Sequence, residues 1–317
     1  MSNKCDRKTF LKNTLAAGTG IGLTLSSGLF KKTIAWANQP NPGTMPKQPL
    51  GKTGHNVSIF GLGGEATVED PSRRDEAIEI IHHALDLGVN YIDTAAFYGR
   101  AGGGRLPGGS EINIGEVMKD RRKEVFLATK SHDYTYDGTM RLFEDSLLRL
   151  QTDYVDLYQH HYVGHFGEYE DLLKKRSARQ AFERLKEEGV VKNIGITGHS
   201  SRLLTRAIEE YPYDCVLITL NAAHAAMRDP EYIDRFFEVA TQKNIGIIAM
   251  KVANRGRMLR DDLTIHQLLP YTMSYPVSTT IMGISEKRFL DEDVRIASSF
   301  EKLSDEEMAE IRTLAQA

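Results

Sequence analysis

Two cysteines, Cys5 and Cys215, are all that the 317 residues contain. A disulfide framework, a cysteine-rich metal site and an iron–sulfur site are therefore excluded. Excess charge is missing too: 40 Lys and Arg face 43 Asp and Glu, a net −3. A nucleic-acid partner would want a basic surface, and none is foreshadowed here. Nor is there a long, strongly apolar run. The most apolar stretch, 14–30, is diluted by Gly18, Gly20, Gly22 and Gly28, and makes a poor permanent membrane span. A Rossmann-type phosphate turn is also lacking. Gly61-Leu62-Gly63-Gly64 is glycine-rich, but no helix follows promptly and the spacing to an acidic residue is wrong.

What is present is ordinary globular material, 41% hydrophobic and 26% charged, sufficient for a sizeable core. The N-terminus reads differently. Residues 7–12, Arg-Lys-Thr-Phe-Leu-Lys, precede the weakly apolar run, and Ala35-Trp36-Ala37 offers small residues where a signal peptidase needs them. This pattern is similar to a twin-arginine signal, with Lys8 in place of the second arginine. It predicts a signal peptide over 1–37, passage through the twin-arginine export machinery and a periplasmic location. A disordered extension on a cytoplasmic protein is the alternative. Residues 38–48, with three prolines, read as a linker to a domain spanning 49–317.

From Pro49 onward short β-branched runs alternate with long amphipathic stretches. Strands are predicted at 57–62, 90–94, 125–129, 155–160, 193–197, 216–220, 246–250 and 278–283. Helices are predicted at 72–87, 139–150, 177–188, 202–210, 231–242 and 304–315. Eight β units alternating with helices predict an α/β fold, the (β/α)8 or TIM barrel, in preference to a doubly wound open sheet.

Function in such a barrel sits at the C-terminal ends of the strands. The second predicted strand ends in Asp93-Thr94-Ala95-Ala96-Phe97-Tyr98-Gly99, the third in Ala128-Thr129-Lys130, and the fourth in Asp156-Leu157-Tyr158-Gln159-His160-His161. These three segments, in this order, resemble the aldo-keto reductase superfamily, and the resemblance runs from about Leu50 to the C-terminus. It implies a catalytic set of Asp93, Tyr98, Lys130 and His161. Elementary chemistry supports the roles. Reducing a carbonyl needs a hydride, which no side chain can donate, and a proton delivered within hydrogen-bond reach of the oxygen. Tyr98 can give the proton, with Lys130 expected to lower its pKa and Asp93 to keep Lys130 charged. His161 would orient the carbonyl and stabilise charge on its oxygen. His160, on the other side of its strand, reads as structural. His160, His161 and His165 also raise a zinc site, but no carboxylate or cysteine lies close by in sequence.

Family members bind NAD(P) at the ends of strands five to eight. Here the usual Ser-Asn pair after strand five is replaced by Thr197-Gly198, followed by His199. This Gly-x-Thr-Gly-His form resembles a subgroup of larger reductases, without their iron–sulfur segment. Asn221 ends strand six, and Met250 and Lys251 end strand seven, where Met250 offers a soft surface to a ring. Gly283, Ser285, Lys287 and Arg288 follow strand eight, the corner where barrels often bind phosphate. Glu292 and Asp293 align with positions that meet adenine, and Gly63 and Gly64 complete the expected cofactor set. The expected cofactor is NADP, with NAD as the alternative, and the expected substrate a small carbonyl compound. The tract 101–109 reads as a flap over the mouth, with 162–169 and 254–260 as further walls. Two other readings compete with a reductase: a cofactor-binding accessory protein on a retained barrel, and a metal-dependent hydrolase.

Overall fold

The computed structural model describes residues 44–317 except 102, 103, 106 and 107; the predicted signal segment lies outside the described residues. A hairpin of β1 (Lys47–Pro49) and β2 (Asn56–Ser58) precedes β3 (Phe60–Ala66) and β4 (Tyr91–Asp93). A small ribbon of β5 (Arg100–Ala101) and β6 (Gly104–Arg105) follows. Then come β7 (Phe126–Ser131), β8 (Val155–His160), β9 (Val191–Gly198), β10 (Cys215–Thr219), β11 (Gly246–Met250) and β12 (Thr279–Ile284). The strands β3, β4 and β7 to β12 pair in parallel and close on themselves, β12 lying beside β3. This is the (β/α)8 barrel that the alternation predicts.

The helices are α1 (Arg74–Asp86), α2 (Gly109–Arg121), α3 (Tyr136–Leu150), α4 (Phe166–Leu173), α5 (Ala178–Glu187), α6 (Ser201–Glu210), α7 (Ile233–Gln242), α8 (Ile265–Met273), α9 (Lys287–Ser298) and α10 (Asp305–Gln316). Amphipathic spacing explains most of them. In α5, Ala178, Ala181, Phe182 and Leu185 repeat at i, i+3, i+4 and i+7 and are all buried. Starts are set by caps: Ser200 Oγ accepts from the Leu203 amide at 3.1 Å, and Ser304 and Glu307 form a reciprocal box. None of the helices among the described residues is long and apolar enough to cross a membrane.

Two helices carry no such stripe. In α2 the buried residues include Gly109, Ser110, Glu111, Asn113 and Gly115 beside Ile114, Val117 and Met118. Polar and small residues are buried there because they serve the barrel rim, and the apolar period is lost. In α8 nearly every residue is buried and Pro270 sits inside, so no contrast between faces survives.

Two apolar layers hold the barrel. One lies between strands and helices, the other inside the barrel around Tyr91, Phe126, Leu157, Leu217 and Ile248. The linker expectation changes at this point. Met45 is buried and Lys47–Pro49 pairs with Asn56–Ser58, so the packed chain begins before residue 49. Leu50, at the start of the hairpin turn, is fully buried in the inner layer, a burial contributing about 1.5–3 kcal/mol. It faces the first residues of β10 and β11, where a Cβ on Gly246 would come within 2.7 Å of Leu50 Cδ1. The hairpin thus closes the N-terminal end of the barrel and leaves the C-terminal rim open. At that rim Ala66, Tyr162 and Lys251 adopt left-handed φ of 65°, 54° and 66°. Non-glycine residues in this region store about 1–3 kcal/mol each, and such positions concentrate at functional sites.

Candidate active site

Asp93 is the last residue of β4, Lys130 lies one before the end of β7, and His161 directly follows β8. Register brings them together: Asp93 pairs with Ala128 on β7, and Lys130 with Gln159 on β8. Lys130 Nζ donates to Asp93 Oδ1 and, at 2.6 Å, to the Thr94 carbonyl. Gln159 Nε2 donates to the other Asp93 oxygen at 3.1 Å. Both charged residues are buried. The turn after β4 folds Tyr98 back over this pair, its ring centroid 4.9 Å from Lys130 Nζ. The His161 ring stands edge-on to Tyr98 at 5.6 Å. The structure therefore gathers Asp93, Tyr98, Lys130 and His161 at one point of the rim.

The electrostatics differ from expectation in one respect. Tyr98 is pushed well above the ordinary phenol value by burial, reinforced by the carboxylates of Glu65, Asp93 and Glu69. Lys130 was expected to lower it, but the ammonium is already matched by Asp93, so little of its field is left for the phenol. Tyr98 is accordingly held as the protonated phenol, the form that donates. Burial likewise raises the Asp93 carboxyl, with Lys130 pulling against it. Burial, then Lys130, then the neighbouring imidazoles of His132 and His199 and the Lys251 ammonium, keep His161 well below the ordinary histidine value and hence neutral.

The neighbouring histidines part company. His165 caps α4, accepting from the Glu168 amide at 3.2 Å. His160 turns outward and stacks on Phe182 at 4.0 Å, where burial and Arg179 push it down to about 3. Between pH 6.5 and that value the unfolded chain binds a proton that the folded chain refuses, so stability is lost as pH falls. From pH 7 to 5 the expected loss is on the order of 2 kcal/mol. Urea midpoints across this range should show it, and His160→Leu should flatten the dependence.

A cleft of about 510 Å³ opens beside Asp93 and Tyr98 between β3, β11 and β12. Of the expected cofactor positions, Gly63, Gly64, Met250, Lys251, Gly283 and Ser285 line it. Gly64 is glycine for packing, since a Cβ there would lie 2.8 Å from the Asp93 carbonyl. The remaining expected positions lie outside these walls. Thr197 Oγ1 accepts from the Tyr162 amide at 2.8 Å, and Gly198 packs against the Val163 carbonyl. His199 Nδ1 meets Thr219 Oγ1 at 2.6 Å. Asn221 donates to the Ala225 and Lys251 carbonyls and accepts from the Ala225 amide. Lys287 pairs with Glu79, Arg288 with Glu286 and Glu292 with His266, while Asp293 is fully buried.

The cleft also contains residues that pattern reading passes over. Glu65 bridges it, bonded to Lys251 at 3.0 Å and to Arg255. Burial alone would raise its carboxyl, but the two cations outweigh that and hold it below its ordinary value. Arg73 reaches the Ser285 carbonyl from the start of α1. A Glu directly after Gly63-Gly64 is the one local signal that could have been noticed. Arg255 belongs to the 254–260 segment expected to wall the mouth, and Gly256 and Leu259 line the cleft with it; Arg73, far away in sequence, had no such signal.

Of the loops expected to wall the mouth, 162–169 divides. Tyr162 is exposed at the rim, 5.1 Å from the His199 ring, whereas Tyr169 is buried behind it with its hydroxyl on Glu210.

Residues 59–268 match the Aldo/keto reductase family, and the chain belongs to that family. It is 34% identical over 179 residues to the uncharacterized oxidoreductase YqkF of Bacillus subtilis (strain 168), covering 53% of this chain and 52% of that one. It is 30% identical over 211 residues to L-galactose dehydrogenase of Arabidopsis thaliana, covering 63% of each. The chain thus matches between 52% and 63% of the length of these curated relatives. Among solved structures, the holo form of the aldo-keto reductase AKR11C1 from Bacillus halodurans superposes with a TM-score of 0.70 at 25% identity, over 86% of this chain and 97% of that one.

Proposed function

We propose that this protein is an oxidoreductase that reduces an aldehyde, ketone or keto-sugar with NADPH, NADH being the alternative donor. The observation that carries the reading is the assembly of Tyr98 and His161 over the buried Asp93–Lys130 pair, at the foot of a cleft holding cationic side chains. Lys251, Arg255 and Arg73 are the groups that would hold a dinucleotide's diphosphate, exchanging their carboxylate partners Glu65 and Glu76 for it, beside a floor of Gly63, Gly64 and Gly283 that presents backbone rather than side chains. The bound nicotinamide supplies the hydride that no side chain can donate. Tyr98 then delivers the proton to the carbonyl oxygen, His161 orients that oxygen, and Lys130 with Asp93 keeps the phenol in place. The names of the relatives, a dehydrogenase and an oxidoreductase, support the same class of chemistry.

The test is direct. Titrating the purified protein with NADPH and NADH should change nicotinamide fluorescence, and Arg255→Ala should weaken binding about tenfold, the effect of one charge-assisted hydrogen bond. No fluorescence change with either nucleotide would sink the proposal. We also propose export by the twin-arginine route, supported by residues 7–12 and Ala35-Trp36-Ala37. Mass spectrometry of protein recovered from the periplasm should find Asn38 at its N-terminus; an intact N-terminus on a cytoplasmic protein would refute this.

A further inference from the structure

We propose that His132 is a positioning residue that sets which nitrogen of His161 carries the proton, an inference that rests on the reductase reading above. The two rings are brought alongside by backbone. The His161 amide donates to the Ser131 carbonyl at 2.8 Å, which pins the loop after β8 to the end of β7. Ser131 Oγ accepts from the Asp133 amide at 3.1 Å and fixes the turn in which His132 sits. The His132 and His161 ring centroids are then 3.8 Å apart, and Phe97 stands edge-on to the other side of His132 at 4.8 Å. Within this sandwich the two Nδ1 atoms are 3.2 Å apart.

Two imidazole nitrogens at that distance hold one proton between them: two lone pairs would repel, and two N–H groups would collide. A neutral imidazole has one N–H and one acceptor nitrogen. His161 is neutral, because burial disfavours its charged form and the ammonium groups of Lys130 on β7 and Lys251 after β11, with the imidazoles of His132 and His199, act in the same direction. Its single proton is therefore on Nδ1 or on Nε2, and His132 decides. If His161 donates from Nδ1 to His132, its Nε2 is a lone pair and repels a carbonyl oxygen. If His132 donates, His161 Nε2 carries hydrogen and can bind that oxygen. Only the second arrangement serves carbonyl reduction. A histidine whose far nitrogen is fixed by a neighbour has its working nitrogen fixed too. His132 touches neither substrate nor cofactor in this account; it acts through His161.

The test uses long-range proton–nitrogen NMR of the full-length protein labelled with ¹⁵N-histidine, with His161→Gln to assign the signals. Wild type should show His161 protonated at Nε2. His132→Asp offers only an acceptor and should move that proton to Nδ1, while lowering kcat for carbonyl reduction about tenfold or more with KM little changed. His132→Asn keeps an N–H donor and should restore both the tautomer and turnover. A wild-type His161 protonated at Nδ1, or an unchanged tautomer in His132→Asp, overturns the proposal. Should His132→Asp fail to fold, the wild-type spectrum alone gives the same decision. If wild type reduces no carbonyl, the reductase reading falls while the spectrum still decides the tautomer.

Discussion

Tyr98→Phe is expected to lower kcat for carbonyl reduction by about 10²–10⁴-fold, the usual worth of a positioned general acid. The fold should be untouched. The Tyr98 hydroxyl makes no hydrogen bond to the described residues, and its ring contacts with Lys130 and His161 survive in phenylalanine. Melting temperature and NADPH affinity should therefore stay close to wild type, which separates loss of the proton from loss of the site. The high pKa direction has a sign that can be read. A phenol raised by burial and by Glu65, Asp93 and Glu69 remains protonated through neutral pH. Reduction should thus show no loss between about pH 6 and 8 from deprotonation of Tyr98, given an ordinary phenol value of about 10. A variant with undiminished turnover would remove Tyr98 from the acid role and favour an accessory function for the barrel.

Lys130→Met has the largest expected effect on stability, about 3–5 kcal/mol, because it strands Asp93 as a buried charge. Gln159 would be the carboxylate's one remaining side-chain donor, and the Thr94 carbonyl would lose its partner. The deficit should depend on pH in a particular direction. Without the ammonium, burial raises Asp93 further above its unfolded value, so the folded state binds the extra proton. Stability then rises as pH falls toward the unfolded carboxyl value, and the deficit at pH 5 should be smaller than at pH 8. Adding Asp93→Asn should recover a large part of the loss. A double variant no more stable than Lys130→Met would show that packing of the lysine stem, and not the stranded charge, carries the effect.

The barrel was legible because its strands read as short β-branched runs, and two of them, 155–160 and 246–250, have the bounds the sequence predicts. The tetrad was legible for a related reason: each member sits within a few residues of a strand's C-terminal end, where linear position is nearly spatial position. That property fails for the cleft. Glu65 on β3, Arg73 at the start of α1 and Arg255 in the segment after β11 line one cleft, and no pattern along the chain announces their meeting. It fails also for Asn221 and Thr197. Both stand at strand ends, yet their polar atoms bind loop backbone instead of facing the cleft. The helix α2 escaped because its buried face carries Ser110, Glu111 and Asn113. Ser110 bonds Thr94, Glu111 bonds Thr129 and Arg149, and Asn113 bonds the Val68 carbonyl. Support of the rim took precedence there over amphipathic spacing.

The hairpin of Lys47–Pro49 and Asn56–Ser58 has a practical corollary for handling the molecule. Residues 44–50 lie against the end of the barrel remote from Tyr98, since Leu50 meets the opening residues of β10 and β11. Whatever is joined upstream of Thr44, whether a resin, a sensor surface or a fluorescent domain, departs from the blind end. Protein tethered that way should present its mouth to solvent and turn over at the rate of free protein. The last residues of α10 offer a different geometry. Arg260, in the segment after β11, donates to the Leu314 carbonyl, so a C-terminal tether pulls on the loops beside the cleft.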